Sequence, residues 1–216
     1  MVNLLFGGRD SAPRKVLCLG AHSDDIEIGC GGTILRILEA HHGLEFRWVV
    51  FSSTPQRSTE ARKSAKLFLK SAASRVVIEN FRDGYFPFQG TRLKDSFEAL
   101  KKSFSPDLIF THYGKDLHQD HRLISELTWN TFRNHLILEY EIPKYDGDLG
   151  TPNLFVRLHD SLCHQKIEYL LKTFRSQNTK HWFTEDAFRA ILRLRGLECN
   201  APEKYAEGFY CRKLVF

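Results

Sequence analysis

Short, continuous apolar runs alternate with longer stretches of helical periodicity along most of the chain. The first run, Val16-Leu17-Cys18-Leu19-Gly20-Ala21, is rich in strand formers and ended by small residues, the pattern of a strand buried on both faces. A polar turn, His22-Ser23-Asp24-Asp25, follows. Cys30-Gly31-Gly32-Thr33 then opens a helical pattern with Ile34, Ile37 and Leu38 at helical spacing. The same rhythm predicts a strand at 46–51, an amphipathic helix at 57–69 and a strand at 75–79. A helix at 93–104 is stopped by Pro106, a strand occupies 107–112, and a helix runs over 118–132. Strands are expected at 136–142 and 153–158, parted by a Pro/Gly/Asp-rich loop at 143–152. Helices near 161–176 and 184–195 and a closing strand at 209–216 complete the reading. No internal repeat, low-complexity tract or linker interrupts it.

Regular strand–helix alternation predicts a Rossmann-like, doubly wound, mostly parallel α/β sheet. Right-handed crossovers would set the strand C-termini along one edge, and ligands of such sheets bind outside that edge. A length of 216 residues feeds one core better than two, so a single domain over 1–216 is expected.

Composition removes several alternatives. No run approaches the ~20 apolar residues needed to span a bilayer. The opening Met1-Val2-Asn3-Leu4-Leu5-Phe6-Gly7-Gly8 has no basic flank before its apolar patch and does not read as a secretory leader. The five cysteines are odd in number and form no CxxC pair, which argues against a disulfide framework or a cysteine-built zinc knuckle and for a reducing, cytoplasmic setting. The formal charge of +5 is scattered, so nucleic acid is not an expected partner.

The chemistry gathers in two places. One is Ala21-His22-Ser23-Asp24-Asp25, at the tip of the first strand. The other is Asp116-Leu117-His118-Gln119-Asp120-His121, just after the fourth. An Asp-Asp pair alone is usually solvated loop, and His-x-x-His alone is usually helix surface. Their meeting at one sheet edge is what points to a site. Imidazole nitrogen and carboxylate oxygen are the ligands of catalytic zinc, and three protein ligands leave a position for water. Bound metal lowers the pKa of that water from about 15.7 to about 7, within reach of a carboxylate base. Asp116 is placed to cap the following helix, and Asp120 to hold a ring N–H of a neighbouring histidine. The residues alone do not separate Asp24 from Asp25. The Gly29–Gly32 run reads as a tight strand-to-helix turn and is not GxGxxG.

These residues resemble the PIG-L (LmbE-like) zinc de-N-acetylases, with their AHPDD motif, Gly-rich stretch and later HPDH motif. The counterparts are Ala21-His22-Ser23-Asp24-Asp25 through Thr33, and His118-Gln119-Asp120-His121. Thr54–Ala61 is similar to the family's TxxRxxEA helix start, Asp83-Gly84 to its DG loop, and Arg195-Gly196 and Tyr205–Phe209 to its C-terminal elements. Ser23 and Gln119 stand where the family has proline, so the ligand loop loses a fixed φ but no catalytic group.

The resemblance implies zinc on His22, Asp25 and His121, with iron or manganese as other ions such ligands suit. It implies Asp24 as general base. His118 would stabilise the oxyanion and protonate the leaving amine, with Asp120 orienting it. Arg57 and Asp83 would hold hydroxyls of a small amino-sugar substrate. The implied reaction is hydrolysis of an N-acetyl group, in a protein that could form homo-oligomers. O-deacetylation or another amide hydrolysis at the same site is an alternative; so is a non-catalytic nucleotide-binding module.

Overall fold

A computed structural model describes residues 13–215; the opening Met1–Gly8 patch lies outside the described residues. The chain runs through β1 (Lys15–Gly20), α1 (Asp25–Ala40), β2 (Glu45–Val50), α2 (Pro55–Leu69) and β3 (Ala73–Ile78). A short 3-10 helix (Phe86–Gln89) leads into α3 (Gly90–Ser103), then β4 (Leu108–His112), α4 (Gln119–Thr131), β5 (Leu136–Tyr140) and β6 (Leu154–Leu158). The chain closes with α5 (Asp160–Thr173), a second 3-10 turn (Arg175–Gln177), α6 (Glu185–Glu198) and β7 (Tyr205–Cys211).

The seven strands form one sheet in the order β3-β2-β1-β4-β5-β7-β6. The first five in that order are parallel, and β7 runs antiparallel to both its neighbours. The mostly parallel α/β sheet is therefore the one expected. The strand order reverses between β1 and β4, and such a switch point opens a crevice at the strand C-termini. Central β1 and β4 are buried almost throughout, which is why they read as unbroken apolar runs. Apolar cores lie on both faces. One holds Trp48, Phe68, Phe110 and Tyr140, and the other Phe51, Phe86, Phe97 and Phe132.

Two expectations fail. Helix α1 starts at Asp25, and Gly29, Gly31 and Gly32 lie inside it. They serve packing: a Cβ on Gly29 would collide with the Tyr140 ring, and one on Gly31 would press 2.6 Å from Phe68 Cε1. The closing strand is Tyr205–Cys211 and does not run to 216. Its ladder ends where its partners do. Cys211 is the last residue in register with β5, and its N–H donates to the Asn153 side chain at 2.8 Å. Arg195 and Gly196 fasten this region. Gly196 lets α6 touch the backbone at Lys204, and Arg195 grips Glu141 with two bonds (2.6 and 2.9 Å) and the Gly150 carbonyl at 3.0 Å.

Candidate metal centre

Both motifs stand at the switch-point crevice. His22, Ser23 and Asp24 form the turn from β1 into α1, and Asp25 is the first residue of that helix. Here the apolar strand ends and two amides need acceptors. Ala21 N–H donates to His112 Nε2 at 2.9 Å, and His22 N–H donates to Asp25 Oδ2 at 2.6 Å. Across the crevice, His118 caps α4, and its Nδ1 accepts Asp120 N–H at 3.2 Å. Asp116 is not the cap. Its Oδ1 accepts His118 N–H (2.8 Å) and its Oδ2 accepts His121 Nδ1–H (3.0 Å). The helix begins after His118, so Asp116 falls in the turn before it and supports a ring instead of a helix end.

Three atoms from the two motifs converge. His22 Nδ1 lies 3.1 Å from His121 Nε2 and 3.4 Å from Asp25 Oδ2; His121 Nε2 lies 3.7 Å from the same oxygen. Ligands held about 2.0–2.2 Å from a tetrahedral zinc stand roughly 3.3–3.6 Å apart. The chemistry of the donors agrees. His121 spends its Nδ1–H on Asp116, leaving a lone pair on Nε2. His22 Nε2 is 3.0 Å from Asp83 Oδ1, so a neutral His22 with its proton on that side would present Nδ1 as a lone pair. The proton that the two ring nitrogens share at 3.1 Å is the one a divalent ion would replace, beside the Asp25 carboxylate. The triad therefore fits a divalent ion.

Other histidines and carboxylates crowd close. Among the described residues, one ligand atom each from Asp25, His112 and His121 lies within 4.8 Å of the others, as do atoms of His22, His118 and His121. The hydrogen bonds sort these sets. The His112 Nε2 lone pair is taken by the Ala21 amide and the His118 Nδ1 lone pair by the Asp120 amide. A neutral His118 then carries its hydrogen on Nε2, as a donor and not a ligand.

The electrostatics follow. For His22, burial favours the neutral ring, but Asp25, Asp120 and Asp83 outweigh it and raise the pKa well above the usual value. A spot that raises an imidazole so strongly is one that attracts positive charge. His121 is held at about 3 by burial, with His112 adding to the effect, so its Nε2 is unprotonated at neutral pH. Burial would raise Asp25, but the three surrounding histidines outweigh it and keep its pKa well below the ordinary carboxylate value. Asp24 goes the other way: burial raises it, against the opposing charge of Arg57. The two neighbouring carboxylates thus separate into an ionised one beside the imidazoles and a more basic one.

The remaining expected residues are nearby in altered company. Arg57 ion-pairs with Asp24 through Nη2, while its buried Nε has no hydrogen-bond partner among the described residues. The side chain of Asp83 is 67% exposed and leans on His22, which brings its pKa down to about 2, against some desolvation. The carboxylate of Asp120, wholly buried, does not bond the His118 ring. It accepts Gly84 N–H (2.7 Å) and Phe86 N–H (3.1 Å) and so pins the loop bearing Asp83; Gly84 turns that loop at φ +76°. Sequence reasoning passed over His112, which ends β4. The signal was a histidine closing a strand at the ligand edge.

A parallel sheet with an imidazole–carboxylate cluster at its switch point defines a class, the Rossmann-like α/β proteins with a polar site at the strand C-termini. The particular family is shown by comparison. The model of the PIG-L family, described as GlcNAc-PI de-N-acetylase, matches residues 17–132, and the chain belongs to this family of deacetylases. It is 28% identical over 143 residues to YaiS, an uncharacterized deacetylase of Escherichia coli (strain K12), covering 60% of this chain and 75% of that one. Its fold is similar to that of a conserved protein from Thermus thermophilus (TM-score 0.73, 23% identity, 93% and 96% of the two chains covered). It is also similar to the N,N'-diacetylchitobiose deacetylase of Pyrococcus horikoshii (TM-score 0.72, 23% identity, 95% and 86% covered). Among the described residues no helix is long and apolar enough to cross a membrane.

Proposed function

We propose that this protein is a metal-dependent hydrolase that removes the N-acetyl group of a small amino-sugar compound. The observation that carries the proposal is the convergence of His22 Nδ1, Asp25 Oδ2 and His121 Nε2 to within 3.1–3.7 Å of one another. These residues would hold the ion, with zinc the first choice and iron or manganese as ions the same ligands suit. When bound, the ion acidifies water and polarises the acetamide carbonyl.

The chain's own groups do the rest. Asp24, made more basic by burial, accepts a proton from the attacking water. His118 donates a hydrogen bond from Nε2 to the oxyanion as the carbonyl carbon becomes tetrahedral. Burial, with the positive field of His22, lowers the His118 pKa, so it acts as a neutral donor and not as an imidazolium. The proton for the leaving nitrogen then comes from Asp24; the C–N bond breaks, giving acetate and a free amine. Asp83, exposed beside His22, would meet a sugar hydroxyl, with Arg57 beside Asp24 as a second candidate.

The test joins metal analysis of purified protein to amine-release assays over a panel of N-acetylamino sugars, with O-acetyl sugars in parallel. About one equivalent of divalent metal and amine release from at least one N-acetyl compound is expected. Protein that binds no divalent ion and releases no amine would sink the reading; release confined to O-acetyl compounds would redirect it to esterase chemistry.

A further inference from the structure

We infer that His112 is a positioning residue of the metal centre, acting as a hydrogen-bond acceptor that sets the geometry of all three ligands without joining them. The inference rests on the metal-dependent reading above. His112 closes β4 and is fully buried. Its Nε2 accepts the N–H of Ala21, the residue just before His22, at 2.9 Å. The next amide, that of His22, goes to Asp25 Oδ2. These two acceptors are 3.1 Å apart. Consecutive amides at the end of β1 are thus seized by one imidazole and one carboxylate, and this fixes the angle at which His22 leaves the strand. The other side of the ring stacks on His121, with centroids 3.9 Å apart and planes 18° from parallel. One side chain therefore touches the backbone entering one ligand, the carboxylate of a second and the ring of a third.

The ring is held there against its own interest. Its Nδ1 is buried without a hydrogen-bond partner among the described residues. A buried polar atom left unpaired asks for a reason. Packing alone would be met by an apolar side chain of similar size, whereas an acceptor at the Nε2 position requires this one. Tyr140 steadies the arrangement. Its hydroxyl donates to Leu19 O at 2.6 Å and stands 3.3 Å from His112 Nε2.

Groups that orient metal ligands typically govern 10–100-fold in metal affinity. His112→Gln keeps an acceptor near the Nε2 position, His112→Asn moves it to the Nδ1 side, and His112→Phe keeps only the stack. Zinc affinity is measured by chelator competition, a readout independent of turnover. The glutamine variant is expected to bind zinc within a few-fold of the unsubstituted protein, while the asparagine and phenylalanine variants lose about 10–100-fold. Equal affinity across all variants, or equal loss in glutamine and phenylalanine, overturns the inference. Ring-nitrogen NMR of the unsubstituted protein covers the case in which the variants fail to fold. On zinc addition the His22 and His121 ring nitrogens should move to metal-bound shifts while those of His112 do not; a metal-bound shift at His112 would make it a ligand and overturn the inference. If the unsubstituted protein binds no zinc, iron or manganese, the metal-dependent reading itself fails, an outcome distinct from either of these.

Discussion

Two buried polar clusters flank helix α1, and they are built on opposite principles. On the side of α5 and β7, Lys166 Nζ donates to Glu207 Oε1 and to Ile28 O, both at 2.6 Å. The same carboxylate accepts the amides of Gly32 and Thr33 at 2.8 and 2.6 Å. The charge is paired and its atoms are satisfied, so this cluster is complete as it stands. At the N-terminal end of the helix the reverse holds. His22 Nε2 and His112 Nδ1 are buried without hydrogen-bond partners among the described residues, and Asp24 is pushed toward its protonated form. Low dielectric makes such frustration costly wherever it is not resolved. A cluster satisfied by the protein is scaffold; one that only a cation and a substrate could satisfy is a site.

The widest separation between the two should come from Asp24. Asp24→Asn keeps the size and removes the base, so kcat should fall by about 10²–10⁴-fold with metal content nearly intact. Steady-state kinetics beside metal analysis decides this, and wild-type turnover in the variant would remove Asp24 from the mechanism. The matching change in the other cluster, Glu207→Ala, should do the opposite. Leaving Lys166 buried and unpaired costs about 3–5 kcal/mol, seen as a drop of about 6–20 °C in Tm, while zinc affinity stays near wild type. A large loss of zinc affinity with unchanged Tm would erase the distinction between scaffold and site.

A smaller effect should appear where the clusters communicate. Gly29 lies on α1 against the Tyr140 ring, whose hydroxyl is 3.3 Å from His112 Nε2. Gly29→Ala forces that ring aside, at a cost of about 1–3 kcal/mol for overpacking. Chemical denaturation should show the loss, and zinc affinity should weaken with it. A variant as stable as wild type would mean that the helix relaxes more readily than its packing indicates.

Legibility in the sequence divides along the same line. The sheet was readable because β1 and β4 are buried on both faces and leave unbroken apolar runs. The ligand candidates were readable because their residue types are chemically specific and cluster at strand ends. Partnerships were not. Asp116 sits at the spacing of a helix cap, but α4 starts later and its oxygens turn to His118 N–H and the His121 ring. The glycines of α1 imitate a turn, because glycine in sequence does not distinguish a tight bend from close contact with a ring. Asp120 was expected at the His118 ring and instead holds the amides of Gly84 and Phe86, residues more than thirty positions away. Contacts across such distances are fixed by the packed fold and leave no local pattern.

The gentlest probe tests how far Arg57 tunes the base. Burial raises the Asp24 pKa, and the guanidinium of Arg57, ion-paired to it, opposes the rise. The ionised carboxylate is the active form, so kcat/KM should fall on the acid side as pH drops through the Asp24 pKa. Arg57→Gln removes the positive charge that favours ionisation. The Asp24 pKa then rises further and the acid limb moves to higher pH, narrowing the active range from below. A shift of one pH unit corresponds to about 1.4 kcal/mol of lost charge interaction, the scale on which the displacement is read. If Arg57 also grips a sugar hydroxyl, KM should rise at all pH values in addition. An acid limb that stays in place while KM rises would assign Arg57 to substrate alone; a limb that moves with KM unchanged would assign it to the base alone.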